Sequence, residues 1–228
     1  MSLPLMIFAA GRGTRMGALG ANRPKALLPI AGRPLLDHAL GVARSAQASP
    51  IVINTHHHAE QIVAHLKGAP DITLSHEPDL LETGGGLKAA RSLLGPGPAF
   101  TLNADAVWKG PNPLAQLAAA FAPAEMDALL LLAPTSAALA SGPGDFFLEG
   151  GKLRRRGAGA TAPFIYTGAQ IIRPDLAEQV QGRSFSMNII WDHIIASGRA
   201  YGLVMQGGWR DVGTPEALAA AETWLAAP

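Results

Sequence analysis

The residues whose types and spacing could do chemistry begin near the N-terminus. Gly11, Gly13, Thr14 and Arg15 stand close together, and Lys25 follows between Pro24 and Pro29. Glycines let backbone N–H groups approach a phosphate closely, and Arg15 and Lys25 can neutralise its charge. An apolar run over residues 3–10 precedes them and reads as a buried strand. The segment after it then lies at that strand's carboxyl end, where open α/β sheets bind ligands. The glycine spacing is not that of a dinucleotide fingerprint, and no Gly-Lys-Ser/Thr follows as in a Walker loop. Two readings stay open for the glycines alone: a phosphate-binding loop, or a plain turn between strand and helix. Asp105 lies just beyond a second apolar run, at 98–103. A carboxylate in such a place suits Mg²⁺, which takes one or two carboxylates together with waters and substrate phosphates. By itself, an Asp at a strand end is more often a turn or cap residue.

These groups need a scaffold, and the 228 residues are enough for one domain, or one domain with a small lobe. Hydrophobic residues make up 48% and charged residues 15%, so a large core is available and disorder is disfavoured. A net charge of +1 supplies no basic field for nucleic acid or for a membrane surface. The absence of Cys excludes a thiol nucleophile, a disulfide framework and Cys-ligated zinc. No stretch approaches the roughly 20 apolar residues of a membrane span. The first apolar run lacks the basic flank and length of a signal peptide. A cytoplasmic protein is expected.

The pattern along the chain alternates. A helix is predicted over 35–46, with Leu36, Ala39, Leu40 and Ala43 on its buried stripe. A strand is predicted over 50–54. Thr55 then caps a helix to about residue 66, with Ile62, Val63 and Leu66 inward. Further strands are predicted at 71–75, 98–103 and 126–133, with helices following Gly84–Gly86 (Leu87, Ala90, Leu93 and Leu94 inward) and over 113–121. Such alternation argues a parallel α/β sheet. Beyond residue 141 the pattern changes to short strands. Two are joined at Glu149-Gly150-Gly151, and a longer one over 163–172 carries Gly168 as a bulge or a close approach. A helix over 186–195, a strand over 201–205 and a last helix capped by Thr214 with Pro215 at its first position complete the chain. His56, His57 and His58 point different ways on a helix and cannot chelate a metal from one face. Gly84, Gly85 and Gly86 suit either close backbone approach to a flat ligand or a flexible turn with Thr83 as cap.

Taken together, A-A-G-R-G-T-R-M at 9–16, R-P-K-A-L-L-P-I-A-G-R-P-L-L at 23–36, L-E-T-G-G-G at 81–86 and W-R-D-V-G-T at 209–214 resemble the sugar-1-phosphate nucleotidylyltransferases in type, order and spacing. The resemblance implies an α/β fold: a Rossmann-like, mostly parallel sheet of the nucleotide-diphospho-sugar transferase type, with a small β-rich sugar-binding lobe at about 141–185, in a single domain over 1–228. It implies that Ala10, Gly11, Gly13, Thr14, Arg15 and Lys25 hold the triphosphate, and that Glu82, Thr83 and Gly85 contact the base. It implies that Asp105 and Asp211 bind Mg²⁺, with Lys25, Arg15 and Asp105 as the catalytic set. Asn54, Gly144, Asp145, Thr167 and Gly168 are the implied sugar contacts. Two departures stand out: Ala26 after the lysine, where Pro is usual, and Ala104, where Asn-Gly-Asp is usual.

The implied reaction joins a nucleoside triphosphate and a sugar 1-phosphate into a nucleotide sugar, releasing pyrophosphate. The nucleophile is already an anion, so alignment and charge neutralisation matter more than a strong base. Among short members the likeness is nearest to those using UTP and N-acetylmuramic acid 1-phosphate, enzymes of peptidoglycan recycling. Transfer of guanylyl to mannose 1-phosphate, or of thymidylyl or uridylyl to glucose 1-phosphate, are the alternatives. Molybdopterin nucleotidylyltransferases share the start of the loop, but the longer gap from Arg15 to Lys25 and the W-R-D-V-G-T segment favour the sugar branch. In another class, an inactive nucleotide-sugar-binding regulator is expected to lack Lys25, Asp105 or Asp211, and all three are present.

Overall fold

The computed structural model describes residues 2–136 and 142–227. The elements in order are β1 (Leu5–Phe8), β2 (Pro29–Ile30), β3 (Arg33–Pro34), α1 (Leu35–Ser45), β4 (Ile51–Thr55), α2 (Ala59–His65) and β5 (Ile72–His76). Then come α3 (Glu82–Ala89), α4 (Arg91–Leu94), β6 (Ala99–Asn103), β7 (Ala106–Lys109), α5 (Pro113–Ala120) and β8 (Ala128–Pro134). The last are β9 (Phe146–Glu149), β10 (Lys152–Arg155), β11 (Phe164–Ile172), α6 (Met187–Ala196), β12 (Ala200–Val204), β13 (Gly208–Asp211) and α7 (Pro215–Ala226).

Among the described residues, nine strands form one sheet in the order β5-β4-β1-β6-β11-β8-β12-β10-β9. β5, β4, β1 and β6 run parallel, as do β8 and β12, with β11 antiparallel between β6 and β8. Alternate residues of a strand face opposite sides, and the core divides accordingly. Leu5, Ile7, Ile51 and Ile53 pack with Leu36, Leu40, Ile62, Leu114 and Leu117 on one face. Met6 and Val52 pack with Leu87, Leu94, Ile190 and Ile194 on the other. The sheet is thus covered on both sides, which is why β8 reads as an unbroken apolar run.

Register aligns the strand ends that matter. Phe8 lies beside Asn54 of β4 and Asn103 of β6. The segments that follow β1, β4 and β6 therefore leave the sheet along one edge, the carboxyl edge of its parallel strands.

Several local expectations are corrected. Thr55 is not a cap: parallel pairing with His76 keeps it in β4, buried, and α2 begins only at Ala59. Val63 is 50% exposed and Leu93 38%, so neither belongs to its helix's buried stripe. Gly84, Gly85 and Gly86 do not form a turn but lie inside α3, all buried. The β-rich part is added to the sheet. β9 and β10 extend the central sheet beyond β12, and β9 also meets β11 at Phe146–Phe164. Ser141, where the expected lobe begins, lies outside the described residues. The register of β11 against β8 shifts between Tyr166 and Gln170, as the bulge expectation at Gly168 requires. Two features have no counterpart in the sequence reading: β2 and β3 pair as a short antiparallel hairpin, and β7 and β13 pair as a separate two-stranded antiparallel ribbon.

Candidate active site

The site forms where β1, β4 and β6 end. After β1 the chain turns through Gly13, whose φ of 62° places it in the left-handed region and starts a 3₁₀ segment at Thr14. The Gly13 carbonyl accepts from the Met16 N–H at 2.8 Å, closing that turn. A Cβ at Gly13 would lie 3.1 Å from the Cβ of Lys25, so the loop and the lysine segment are in close contact. Pro24 ends in extended conformation, and Lys25 opens a one-turn 3₁₀ helix. Ala26 is buried in the core, so a small side chain suits that position.

Lys25 Nζ donates to Asp105 Oδ2 at 2.6 Å, and only 12% of the lysine side chain is exposed. Asp105 sits in the tight turn joining β6 to β7. Ala104, in that turn, is buried and has no positive φ, so its methyl needs no strained backbone in place of glycine. Asp211 ends β13, and register pairs it with Ala106 beside Asp105. The Val212 N–H donates to the Asp105 carbonyl at 2.8 Å, tying the two segments together. The ribbon is therefore the device that sets the two carboxylates side by side. Burial and then the charge of Asp105 push the Asp211 carboxyl above its ordinary range, opposed by Lys25 and Arg15. Around Gly213, a Cβ would meet Asp211 Oδ2 at 2.8 Å and Arg15 Nη1 at 3.2 Å. Lys25, Arg15, Asp105 and Asp211 thus converge from four separate segments. Two close carboxylates, one raised by burial and by the charge of the other, fit a divalent cation that takes its remaining ligands from phosphate and water. Among the described residues no group of three or more His, Asp or Glu side chains is placed to hold a metal.

A cavity of about 330 Å³ opens beside this cluster, with Ala10, Gly11, Asn54, Glu82, Thr83 and Asp105 in its wall. A second, of about 230 Å³, continues past Phe8, Thr83 and Asn103 and is walled by Tyr166, Asn188 and Trp191. Asn54 is in the first wall, but its amide is tied to the scaffold. Oδ1 accepts from the Ala9 N–H at 2.7 Å and the Ala10 N–H at 3.3 Å, and Nδ2 donates to Glu77 Oε1 at 2.7 Å. Glu77, 1% exposed, also accepts from the Leu81 N–H at 3.1 Å. This Asn54–Glu77 pair fixes both the loop after β1 and the start of α3, and a Cβ at Gly86 would collide with it at 2.8 Å.

The remaining expected contacts divide. Glu82, with φ 60°, and Thr83 line the first cavity. Gly85 does not: its N–H donates to the Phe185 carbonyl at 3.0 Å, and a Cβ there would lie 2.2 Å from the Arg183 carbonyl oxygen. The glycines serve a close crossing of protein backbone. Gly144, Asp145, Thr167 and Gly168 line neither cavity. Gly144 packs on the Ala162 carbonyl, and Asp145 Oδ2 accepts from the Tyr166 N–H at 2.9 Å. The Thr167 hydroxyl donates to the Leu131 carbonyl at 2.8 Å. Gly168, φ 86°, presses on Asn103, which does line both cavities. Phe8, Asn103, Tyr166, Asn188 and Trp191 escape the sequence reading. Their only signal is position: strand ends at the ligand edge, and polar residues on an otherwise apolar strand or helix.

Fold and site together define a nucleotidyltransferase, and the chain belongs to the family described as the MobA-like NTP transferase domain, which it matches over residues 5–181. It is similar over nearly its whole length to N-acetylmuramate alpha-1-phosphate uridylyltransferase of Caulobacter vibrioides, with 40% identity covering 97% of this chain and 96% of that protein. It is 41% identical to the bifunctional protein GlmU of Burkholderia multivorans, over 44% of this chain and 22% of that one. In fold it is similar to a protein named as a candidate glucose-1-phosphate thymidylyltransferase from Bacillus anthracis, solved in complex with a sucrose. The TM-score is 0.85 at 17% identity, covering 98% of this chain and 95% of that one. HddC from Yersinia pseudotuberculosis, complexed with GMP-PN, gives 0.79 at 17% identity, covering 98% and 99%. The chain is a nucleotidyltransferase acting on a sugar 1-phosphate.

Proposed function

We propose that the chain transfers the uridylyl group of UTP to N-acetylmuramic acid 1-phosphate in a Mg²⁺-dependent reaction, as a single nucleotidylyltransferase unit. The likeness to the Caulobacter protein across both full lengths is the observation that carries the substrate pair. In the reaction an oxygen of the sugar phosphate forms a bond to the α-phosphorus of UTP, and the bond from that phosphorus to the bridging oxygen breaks to release pyrophosphate. Asp105 and Asp211 would hold Mg²⁺, which when bound neutralises phosphate charge and orients the phosphates. Lys25 has three donors, of which Asp105 takes one. The other two, with the Arg15 guanidinium, stabilise charge on the α-phosphate and the departing pyrophosphate. The loop of Ala10, Gly11, Gly13 and Thr14 receives the triphosphate, while Glu82 and Thr83 approach the base. Such a role in the reuse of cell-wall sugars agrees with a cytoplasmic location.

The test is pyrophosphate release over a matrix of UTP, dTTP, GTP and CTP against the 1-phosphates of N-acetylmuramic acid, N-acetylglucosamine, glucose and mannose. UTP with N-acetylmuramic acid 1-phosphate is expected to dominate, to need Mg²⁺, and to be abolished by Asp211→Ala. Preference for another pair replaces the substrates. Binding of nucleotide sugars with no turnover of any pair replaces the enzyme with a regulator.

A further inference from the structure

The second cavity has a polarity that the hydrogen bonds around it determine. A guanidinium can only donate. Arg155 Nη1 lies 3.0 Å from Asn188 Oδ1 and Nη2 lies 3.0 Å from the Asn188 carbonyl. The oxygen end of the Asn188 amide must therefore face Arg155, and its NH₂ end is left for the cavity it lines. Arg155 is itself held. Nε donates to Asp192 Oδ1 at 2.8 Å, one helical turn beyond Asn188, and the guanidinium carbon sits 5.1 Å and 5.3 Å from the Phe146 and Trp191 ring centroids. The same logic fixes the neighbouring wall. The Trp191 indole N–H donates to Gln170 Oε1 at 2.8 Å, so Gln170 turns its NH₂ toward Thr101 Oγ1 at 3.1 Å and its oxygen is already engaged by the indole. Thr83 Oγ1 accepts from the Met187 N–H at 3.0 Å, which leaves its proton to donate. Among the described residues, no carboxylate lines this cavity.

At Asn188 this favours a ligand group that accepts, and an anionic one above a neutral one, because the amide is polarised by the guanidinium behind it. We propose that Asn188 is a specificity-determining residue. It donates to the carboxylate of the sugar's lactyl ether, and Arg155 is the positioning residue that turns its amide. The inference rests on the substrate reading given above. It assigns discrimination between sugars that carry a lactyl group and sugars that do not to one amide on α6. None of the expected sugar contacts contributes to this wall.

Asn188→Asp tests it with little change of shape. Oδ1 still accepts from Arg155, while the donor facing the cavity becomes a negatively charged acceptor. Asn188 is exposed, so the fold is expected to hold, and an unchanged melting temperature checks that. The experiment measures kcat/KM with UTP and Mg²⁺ for N-acetylmuramic acid 1-phosphate and N-acetylglucosamine 1-phosphate. Where the second sugar is not turned over, its inhibition constant serves instead. Facing like charges are strongly unfavourable, so the variant is expected to lose about 10²-fold for the lactyl sugar, mainly in KM, and to change less than about threefold for the other. Arg155→Met should lose about 10-fold for the lactyl sugar with the same selectivity. Equal losses with both sugars, which an N-acetyl contact or a purely structural role would give, overturn the inference. So does no loss with either. Failure of the wild type to use N-acetylmuramic acid 1-phosphate, beside good turnover of another sugar, brings down the substrate reading and this inference with it. Normal wild-type turnover with unselective variants brings down this inference alone.

Discussion

Lys25 is placed to serve two anions. It neutralises Asp105, which lines the first cavity, at 2.6 Å, and two of its three donors remain. Lys25→Met should lower kcat by about 10²–10³-fold, the usual loss when one electrostatic partner of a charged transition state is removed. Pyrophosphate release at saturating substrates measures this, and a change in KM alone would place the lysine outside the reacting phosphates. Asp211 carries the opposite liability. Burial and the nearby Asp105 raise its carboxyl above the ordinary range, so its ionised form opposes folding at neutral pH. That opposition disappears as pH falls through the raised value, because the folded protein then binds the proton more readily than the unfolded chain does. In magnesium-free buffer at pH 7, Asp211→Asn should therefore melt higher than the wild type, by roughly 2–4 °C for each kcal/mol relieved. The difference should shrink toward pH 4, and the variant should be inactive. A lower melting temperature at pH 7 would contradict a site that trades stability for metal affinity.

At the scale of elements, glycines with one appearance in the sequence have two different jobs. Gly84 and Gly85 let α3 cross the segment at Arg183 and Phe185, where a Cβ would lie 2.5 Å from the Phe185 ring and 2.2 Å from the Arg183 carbonyl oxygen. The Phe185 carbonyl in turn accepts N–H groups at the start of α3, which a helix N-terminus would otherwise leave unpaired. Gly11 has nothing within 4 Å of its Cβ position and lies in the cavity wall. Gly85→Ala should thus destabilise by about 1–3 kcal/mol, as overpacking does. Gly11→Ala should leave stability within about 0.5 kcal/mol while raising the KM for the triphosphate. Denaturant melts beside steady-state kinetics separate the two, and the reverse pattern would show that the roles are exchanged. The same contrast shows what a sequence can disclose. Hydrophobic periodicity makes β1, β4, β8 and α1 legible, because it reports burial directly. The glycine-rich loop, Lys25 and Asp105 stand out in the sequence only through their likeness to family motifs, and the fold brings Lys25 and Asp105 into contact. A run of three glycines announces a close approach without naming the partner, which lies 100 residues away in the chain. Thr167 and Asp145 stand among the sugar contacts by resemblance: a polar side chain in a strand or hairpin suits a ligand or a neighbouring backbone group equally, and here the backbone takes both.

Over the whole molecule, the site depends on a return of the chain. The stretch matched by the family description ends at residue 181, yet Asp211 lies beyond it, on β13. β13 reaches Asp105 only by pairing with β7 from Asp211–Ala106 to Gly208–Lys109. Trp209 is buried in this ribbon against Ala133 and Ile165, and α7 follows directly, capped by the Thr214 hydroxyl accepting the Ala217 N–H at 3.2 Å. The ribbon is only two strands wide, and such a pair has little stability of its own without the surfaces it packs on. Holding the two carboxylates together should therefore tighten it as a unit. Hydrogen exchange in the presence of Mg²⁺ and the nucleotide-sugar product should slow at residues 106–109 and 208–211 by similar factors, while the interior strands β1 and β8, already protected, change little. Mg²⁺ without nucleotide should give a smaller effect of the same pattern, and Asp211→Asn should remove it from both strands. Protection confined to residues 106–109 would mean that Asp105 holds the metal without Asp211, and that the return of the chain serves the fold and not the chemistry.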